Sequence, residues 1–346
     1  MQIKIKRRGL CLLWVIVQGL LLNVVWAKPL LAPALQKGDT VALVSSGSHV
    51  LSPQDISFAK MRLTALGLHV ILGQHVHAEY GYLAGTAAQR AADLNAMFAN
   101  PEVKAIFQVR GGVGSANILP LLNYELIKQH PKVVIGYSDI TSLLIGIQQR
   151  TGLVTFHGPM AFQAWPAVTI HFLQQILFRT RLSTLENPIP PLDTSKDIIQ
   201  THNRIQTLIS GHASGILIGG NLRVLTGLLG TPYEPDWHGK ILFIEEVNES
   251  YERIDRMLAQ LALAGVLQHI NGLIFGACQQ CYMSPDNRQT FTLNALLLKY
   301  LQPHPVPSYM GAMFGHQDDM FTLPEGVKVT MDADTGKIQL LSPAVK

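Results

Sequence analysis

From Asp39 onward the chain alternates short apolar runs with stretches of helical periodicity, and this alternation restricts the fold more than any other feature. Thr40 to Val44 is an apolar run that ends in the small polar loop Ser45-Ser46-Gly47-Ser48. Residues 53–66 read as a helix closed by Gly67, and 68–72 as a second strand. Residues 86–98 carry helical periodicity through Ala88, Ala91, Ala92, Leu94 and Phe98, and 103–109 form a third strand followed by Gly111-Gly112. Residues 118–127 read as mostly helical, 133–135 as a strand and 141–149 as a helix. Strands that alternate with helices, and that lack a polar face of their own, predict a parallel sheet covered on both sides in an α/β domain.

The rhythm changes after residue 180. The stretch 185–197 holds Pro188, Pro190, Pro191 and Asp193 and reads as an exposed connection. Beyond it, strands are predicted near 213–218, 240–247, 270–276 and 327–331, with helices near 221–229, 251–263 and 290–301. The organisation expected is an N-terminal α/β domain over 28–182, a linker over 183–205 and a C-terminal domain over 206–346. No internal repeat or low-complexity tract interrupts it.

Residues 1–27 stand apart. Lys4, Lys6, Arg7 and Arg8 precede an apolar run from Leu10 to Leu22, and Val25-Trp26-Ala27 offers a small residue for cleavage before Lys28. This is the pattern of a secretory signal peptide, and the apolar stretch is short for a spanning helix. Periplasmic localisation is therefore expected, with no stable membrane insertion once the signal is removed. The segment carries four of the 27 basic residues and no acidic one, so 23 basic residues remain against 23 acidic. The mature chain is formally neutral, and its charge points to no nucleic-acid partner. A homodimer is an admissible assembly. Of three cysteines, Cys11 leaves with the signal. Cys278 and Cys281 can form a disulfide, half of a metal site or two unrelated thiols. Further ligands at zinc spacing are absent nearby, and His75 and His77 beside Glu79 and Tyr80 read as a polar loop, so neither a metal nor another cofactor is expected.

Four segments could carry chemistry. Val133 to Thr141 runs a strand into Gly136-Tyr137-Ser138-Asp139 and then a helix, which suits a nucleophilic Ser138 with the following N–H aimed at an oxyanion. Ile140 stands where a full G-x-S-x-G elbow has its second Gly, and locally Ser138 or Asp139 reads better as a helix cap. Arg110-Gly111-Gly112-Val113-Gly114-Ser115 follows a strand and can bring backbone N–H groups close to a ligand, but it is not a dinucleotide-binding G-x-G-x-x-G. Lys240 to Glu249 is an apolar strand that ends in Glu245-Glu246, and Gly315-His316 precedes a polar run.

Taken together and in order, these phrases resemble the L,D-carboxypeptidase family of serine peptidases (muramoyltetrapeptide carboxypeptidases), whose relatives include microcin C immunity proteins. The matching phrases are Val103 to Phe107 with Arg110-Gly111-Gly112, Gly136-Tyr137-Ser138-Asp139 and His157-Gly158-Pro159-Met160. Gly219-Gly220-Asn221-Leu222, Leu229-Gly230-Thr231-Pro232, Glu245 to Leu258 and Gly315-His316 complete the set. The resemblance implies a flavodoxin- or Rossmann-like nucleophile domain and a smaller, β-rich C-terminal α/β domain that supplies Glu and His. It implies a Ser138–Glu245–His316 triad, an oxyanion hole from the N–H groups of Gly112 and Asp139, and a murein tetrapeptide substrate that loses its terminal D-alanine. The family phrase selects Glu245 over Glu246, because successive strand residues face opposite ways and only one of them can meet His316. Two departures stand out: Val113 replaces an aromatic residue common in relatives, and the signal peptide is unlike the cytoplasmic wall-recycling members. Two other readings compete. One is a microcin-immunity-type hydrolase of peptidyl-nucleotides, for which Trp165 is the available stacking surface. The other is a periplasmic solute-binding protein, which would give no reason for Ser, Glu and His in these phrases.

Overall fold

The computed structural model describes residues 28–188, 204–283 and 291–346. The expected signal peptide and most of the expected linker lie outside the described residues. Two sheets organise the described chain. Five parallel strands build the first: β1 (Thr40–Val44), β2 (His69–Leu72), β3 (Val103–Gln108), β4 (Val133–Gly136) and β5 (Thr155–His157). The second contains β6 (Thr184–Leu185), β7 (Gln206–Ile209), β8 (His212–Asn221), β9 (Lys240–Val247), β10 (Gly272–Gln279) and β11 (Ser308–Met310). Next in the chain, β12 (Leu323–Glu325) returns to the first sheet, before β13 (Lys328–Asp332) and β14 (Lys337–Leu340) complete the second.

The first sheet has the order β2-β1-β3-β4-β5-β12, in which β12 pairs antiparallel with β5. The second has the order β6-β14-β13-β8-β9-β10-β11-β7, a parallel centre of β8 to β11 flanked by antiparallel strands. The order 2-1-3-4-5 is that of flavodoxin-like sheets, where ligands collect beyond the carboxyl ends of the strands. The expected α/β architecture with a parallel first sheet is thus observed, and the second sheet is itself parallel at its centre.

Helices α1 (Pro53–Ala65), α2 (Ala87–Ala99), α3 (Tyr124–Gln129), α4 (Thr141–Thr151) and α5 (Ala167–Leu177) accompany the first sheet. Helices α6 (Leu222–Thr226), α7 (Tyr251–Leu263), α8 (Val266–His269) and α9 (Leu293–Leu301) accompany the second. The stretch 118–127, expected as one helix, is a 3-10 turn over Ser115–Leu121 followed by α3. Pro120 lacks the N–H a continuous helix needs, and Asn123 caps the new helix by accepting from Leu126 N at 3.0 Å. The sequence reading did not include β5, α5 or the short strands β6, β7, β11, β12 and β14.

Central strands are buried on both faces, which explains their unbroken apolarity. Val41, Leu43, Ile241 and Phe243 belong to one core cluster, while Ala42, Val44, Leu242 and Ile244 belong to the other. Each cluster runs from the first sheet into the second, so the sheets are cemented rather than merely tethered. One buried arginine ties the loops at the strand ends: Arg90 of α2 donates to Ser46 O at 2.6 Å and Gly114 O at 2.8 Å.

Glu325, at the end of β12, is fully buried, and neither carboxyl oxygen has a hydrogen-bond partner among the described residues. Burial pushes its carboxyl well above the usual range, so the native state holds the proton to higher pH than an unfolded chain does. An unfolded Glu releases it above about pH 4.3. Above that pH the native state therefore holds more protons than the unfolded one, and stability falls as pH rises. The isosteric change Glu325→Gln should raise Tm by about 3 °C or more at pH 8 and by almost nothing at pH 4. Thermal scans at both pH values check this; an equal shift at both would mean that Glu325 is not held protonated.

Candidate active site

Strand β4 ends at Gly136, and Tyr137 continues it in an extended conformation with φ −153°. Ser138 then adopts φ +62°, the left-handed region that a non-glycine residue enters at a cost of about 1–2 kcal/mol. A 3-10 turn over Ser138–Ile140 leads into α4. The strained turn throws the half-buried Ser138 side chain forward from the strand end, the arrangement of a nucleophile elbow without its second glycine.

His316 reaches Ser138 from far along the chain. Residues 311–322 connect β11 of the second sheet to β12 of the first, so the segment bearing His316 must cross the junction between sheets. His316 Nε2 lies 3.0 Å from Ser138 Oγ, and Nδ1 lies 2.7 Å from Glu245 Oε2. A carboxylate only accepts, so Nδ1 carries the proton it donates to Glu245. The neutral ring then presents the Nε2 lone pair to the Ser138 hydroxyl. Gly315, at φ +102°, permits this approach: a Cβ there would sit 2.8 Å from Glu245 Cβ. The ring of Tyr137 meets His316 edge-on at 4.8 Å, and its hydroxyl accepts a short hydrogen bond from Gln163 Nε2.

The two adjacent carboxylates at the end of β9 separate as strand geometry demands. Glu245 is fully buried and turns to His316. Glu246 turns the other way, accepting from Asn221 Nδ2 at 3.1 Å, Val247 N at 2.9 Å and Arg223 N at 3.0 Å. Burial, reinforced by the neighbouring Glu245, raises the Glu246 carboxyl against these three donors.

The glycine loop after β3 lies beside the serine turn. A Cβ on Gly111 would be 3.1 Å from Ser138 Cβ and 3.4 Å from Asp139 N, and Gly112 has φ +90°. Gly112, Ser138 and Asp139 line one cavity of about 420 Å3, with Asn221 and Arg223 on its far wall. Asp139 anchors the loop, its carboxylate accepting from Gly114 N at 3.2 Å and Ser115 N at 2.9 Å. Burial raises that carboxyl, while the two N–H bonds and the Arg90 charge oppose the rise. A second cavity of about 820 Å3 lies on the other side, lined by Tyr137, His316, Gln163, Gln279, Gln280 and Asp318 among others.

The structure thus gathers Ser138, Glu245, His316, Gly112 and Asp139 at one place. Sequence reasoning had given no role to Tyr137, Gln163 or Arg223, and had named His157 only as part of a matching phrase. His157 pairs in register with Gly136, is fully buried, and has no hydrogen-bond partner on either ring nitrogen among the described residues. Burial pushes its imidazole down to about 4, so it is a neutral packing partner of Tyr137, Phe243 and Phe314 at neutral pH. Val113 is exposed on the wall of the smaller cavity. Trp165 packs on Phe107 at 6.2 Å and donates to Met160 O at 3.0 Å, the contacts of a packing residue. Cys278 and Cys281 are joined as a disulfide. No cluster of three or more His, Cys, Asp or Glu with metal-binding geometry occurs among the described residues.

Residues 41–158 match the LD-carboxypeptidase N-terminal domain family, and residues 214–331 the LD-carboxypeptidase C-terminal domain family. The chain is 36% identical to the probable murein peptide carboxypeptidase of Bacillus subtilis, over 86% of this chain and 90% of that protein. It is 31% identical to the microcin C7 self-immunity protein MccF of Escherichia coli, over 90% of this chain and 96% of that protein. The solved structure of MccF in complex with glutamyl sulfamoyl guanosine superposes with a TM-score of 0.82 at 29% identity, over 92% of this chain and all of that one. The muramoyltetrapeptide carboxypeptidase from Oxalobacter formigenes superposes with a TM-score of 0.71 at 28% identity, over 87% of this chain and 97% of that one.

The opposed facing of the two carboxylates has a kinetic consequence. In Glu245→Gln the amide can offer N–H to His316, which favours the tautomer whose Nε2 bears the proton and cannot accept from Ser138. Turnover should fall roughly a thousandfold or more. Glu246→Gln keeps its shape and most of its hydrogen bonds, and should change kcat less than about tenfold. Measured kcat values for the two variants decide it; the reverse ranking would mean that Glu246 orients the imidazole.

Proposed function

The chain belongs to the LD-carboxypeptidase family and is therefore a hydrolase by kinship, and on that footing we propose a serine-type enzyme that hydrolyses the L,D-amide bond holding the terminal D-alanine of murein tetrapeptide stems. The observation that carries this reading is the unbroken chain of contacts from Ser138 Oγ through His316 to Glu245, at 3.0 and 2.7 Å. A neutral hydroxyl is a poor nucleophile, so His316 Nε2 accepts its proton as Oγ attacks the scissile carbonyl carbon. Glu245 holds the Nδ1–H tautomer and stabilises the imidazolium that forms. The carbonyl oxygen becomes an oxyanion, for which the N–H groups of Gly112 and Asp139 are the donors in this reading. Each such donor contributes about 3 kcal/mol. Collapse of the tetrahedral intermediate passes the proton from Nε2 to the nitrogen of D-alanine, which leaves. Water then repeats the sequence on the acyl-enzyme and restores Ser138. No metal or other cofactor enters these steps.

The stem-peptide substrate is supported by the names of the Bacillus and Oxalobacter relatives. A peptidyl-nucleotide substrate is the alternative suggested by likeness to MccF, and the 820 Å3 cavity beside His316 has room for a leaving group larger than alanine. Trp165 does not strengthen that alternative, since its indole is engaged in packing. Export to the periplasm, where stem peptides are found, belongs to the same reading and rests on the charged and apolar pattern of residues 1–27. Among the described residues no helix is long and apolar enough to cross a membrane.

Protein isolated from a periplasmic fraction should begin at Lys28 and convert a disaccharide tetrapeptide to the tripeptide, seen by mass spectrometry as loss of one alanine. Ser138→Ala should release D-alanine at least about a thousandfold more slowly while still binding the stem. Cleavage of an aspartyl-sulfamoyl nucleotide in place of the tetrapeptide would move the assignment to the immunity-type activity. Substantial activity in Ser138→Ala would remove the serine mechanism.

A further inference from the structure

The C-x-x-C segment takes no part in the mechanism just given, yet it forms a wall of the site. Strand β10 pairs in parallel with β9 so that Cys278 lies opposite Glu246 and Gln279 opposite Val247. The disulfide from Cys278 to Cys281, with Cα atoms 5.4 Å apart, closes a ring whose two intervening residues are Gln279 and Gln280. Both are exposed, and both line the 820 Å3 cavity together with His316. The two half-buried cysteines pack on the core cluster beneath. The side-chain amides of Gln279 and Gln280 have no partner among the described residues.

Backbone bonds close this ring on itself and tie its segment to the chain just beyond Glu245. Asn248 N donates to Gln279 O at 2.9 Å, Cys281 N to Cys278 O at 3.2 Å, and Tyr282 N to Glu249 O at 3.1 Å. Gln280 adopts φ +56°, a conformation disfavoured for a residue with a side chain, and a four-residue ring leaves the chain little freedom to abandon it. The cavity has a defined side in the reaction. The imidazole that receives the Ser138 proton must hand it to the departing nitrogen, so the leaving group lies on the side of the cavity that His316 lines. Four glutamines, Gln163, Gln279, Gln280 and Gln317, line that cavity beside the carboxylates Asp318 and Asp319, and no Lys or Arg does, so the amides are its neutral donors. Neutral amides both donate and accept, which matches the carboxylate and amide groups of a peptide terminus.

We propose that the Cys278–Cys281 disulfide is a substrate-positioning element, which holds the amides of Gln279 and Gln280 against the peptide end that is cleaved. The inference rests on the serine-peptidase reading above. Reduction releases the ring and weakens capture of the stem while leaving Ser138, His316 and Glu245 in place. Both cysteines are then free thiols: an added phosphine gives up two electrons as the S–S bond breaks, and one water supplies the oxygen of the phosphine oxide and the protons of the two thiols. An exported enzyme acquires this ring in an oxidising compartment and lacks it beforehand.

The test compares oxidised protein, phosphine-reduced and alkylated protein, and Cys278→Ser/Cys281→Ser protein on the same tetrapeptide. Thiol counting under denaturing conditions should find no free thiol in the native protein and two after reduction. Loss of one or two neutral hydrogen bonds should raise KM about three- to tenfold, with kcat and the rate of Ser138 labelling by a fluorophosphonate within about twofold. Gln280→Ala should raise KM in the oxidised protein and add nothing once the ring is open, a coupling that a purely structural bridge would not produce. Equal KM in the two redox states, two free thiols in the native protein, or a parallel fall in KM-independent labelling would each overturn the proposal. Failure to release D-alanine from the stem in either state would overturn the functional reading and this one with it.

Discussion

Glu245 is a carboxylate with no exposure to water, and its bond to His316 Nδ1 at 2.7 Å is the contact around which the two sheets are arranged. Removing an ionised carboxylate from water costs several kcal/mol, and only well-placed donors offset that. His316 is the donor found here, so the imidazole and the carboxylate specify each other's position. The loop carrying His316 is anchored at one end by β11 pairing with β10 and at the other by β12 pairing with β5. Displacing either strand would leave the carboxylate buried and unpartnered. The junction between sheets is thereby tied to the geometry at Ser138.

The same dependence extends outward through the neighbouring groups. Asn221 N donates to Thr141 Oγ1 at 2.9 Å, which joins the end of β8 to the start of the helix behind Ser138. Asn221 Nδ2 and Arg223 N satisfy Glu246, so the second carboxylate fixes the wall of the smaller cavity while the first fixes the imidazole. Beneath them, His157 fills the space between Tyr137, Phe243 and Phe314, residues adjacent to Ser138, near Glu245 and near His316 respectively. A neutral imidazole there packs without adding charge beside Glu245. Arg90 performs the equivalent task on the glycine side by clamping the loops after β1 and β3.

Strands β1, β3, β4 and β9 and helices α4 and α7 were legible because long apolar runs or a clear helical period mark them. Helix α7 was read at its observed limits, since Ile254, Met257, Leu258 and Leu261 recur on one face. The short strands were not legible. Thr155-Phe156-His157 is too brief to show a period, and Leu323-Pro324-Glu325 contains a proline that argues against a strand unless it lies at an edge, where β12 does lie. That unseen strand helps to bring His316 across the junction, so nothing local announced the position of His316. Glu245 could not be separated from Glu246 by pattern, because β9 is buried on both faces; the distinction came from resemblance, and strand alternation explains why only one carboxylate meets the imidazole. The left-handed turn at Ser138 had no signal beyond Gly136 and a polar residue before a helix. The disulfide was left open, because a two-residue spacer permits a bridge without requiring one.

The central claim is that Ser138 is made nucleophilic by His316. Labelling with a fluorophosphonate, followed by peptide mapping, tests it without assuming any substrate. The account predicts one modified residue, Ser138, in the native protein, and labelling that falls by orders of magnitude in His316→Ala, whose Ser138 hydroxyl is untouched. Modification of a different serine, or equally fast labelling of Ser138 without His316, would contradict it.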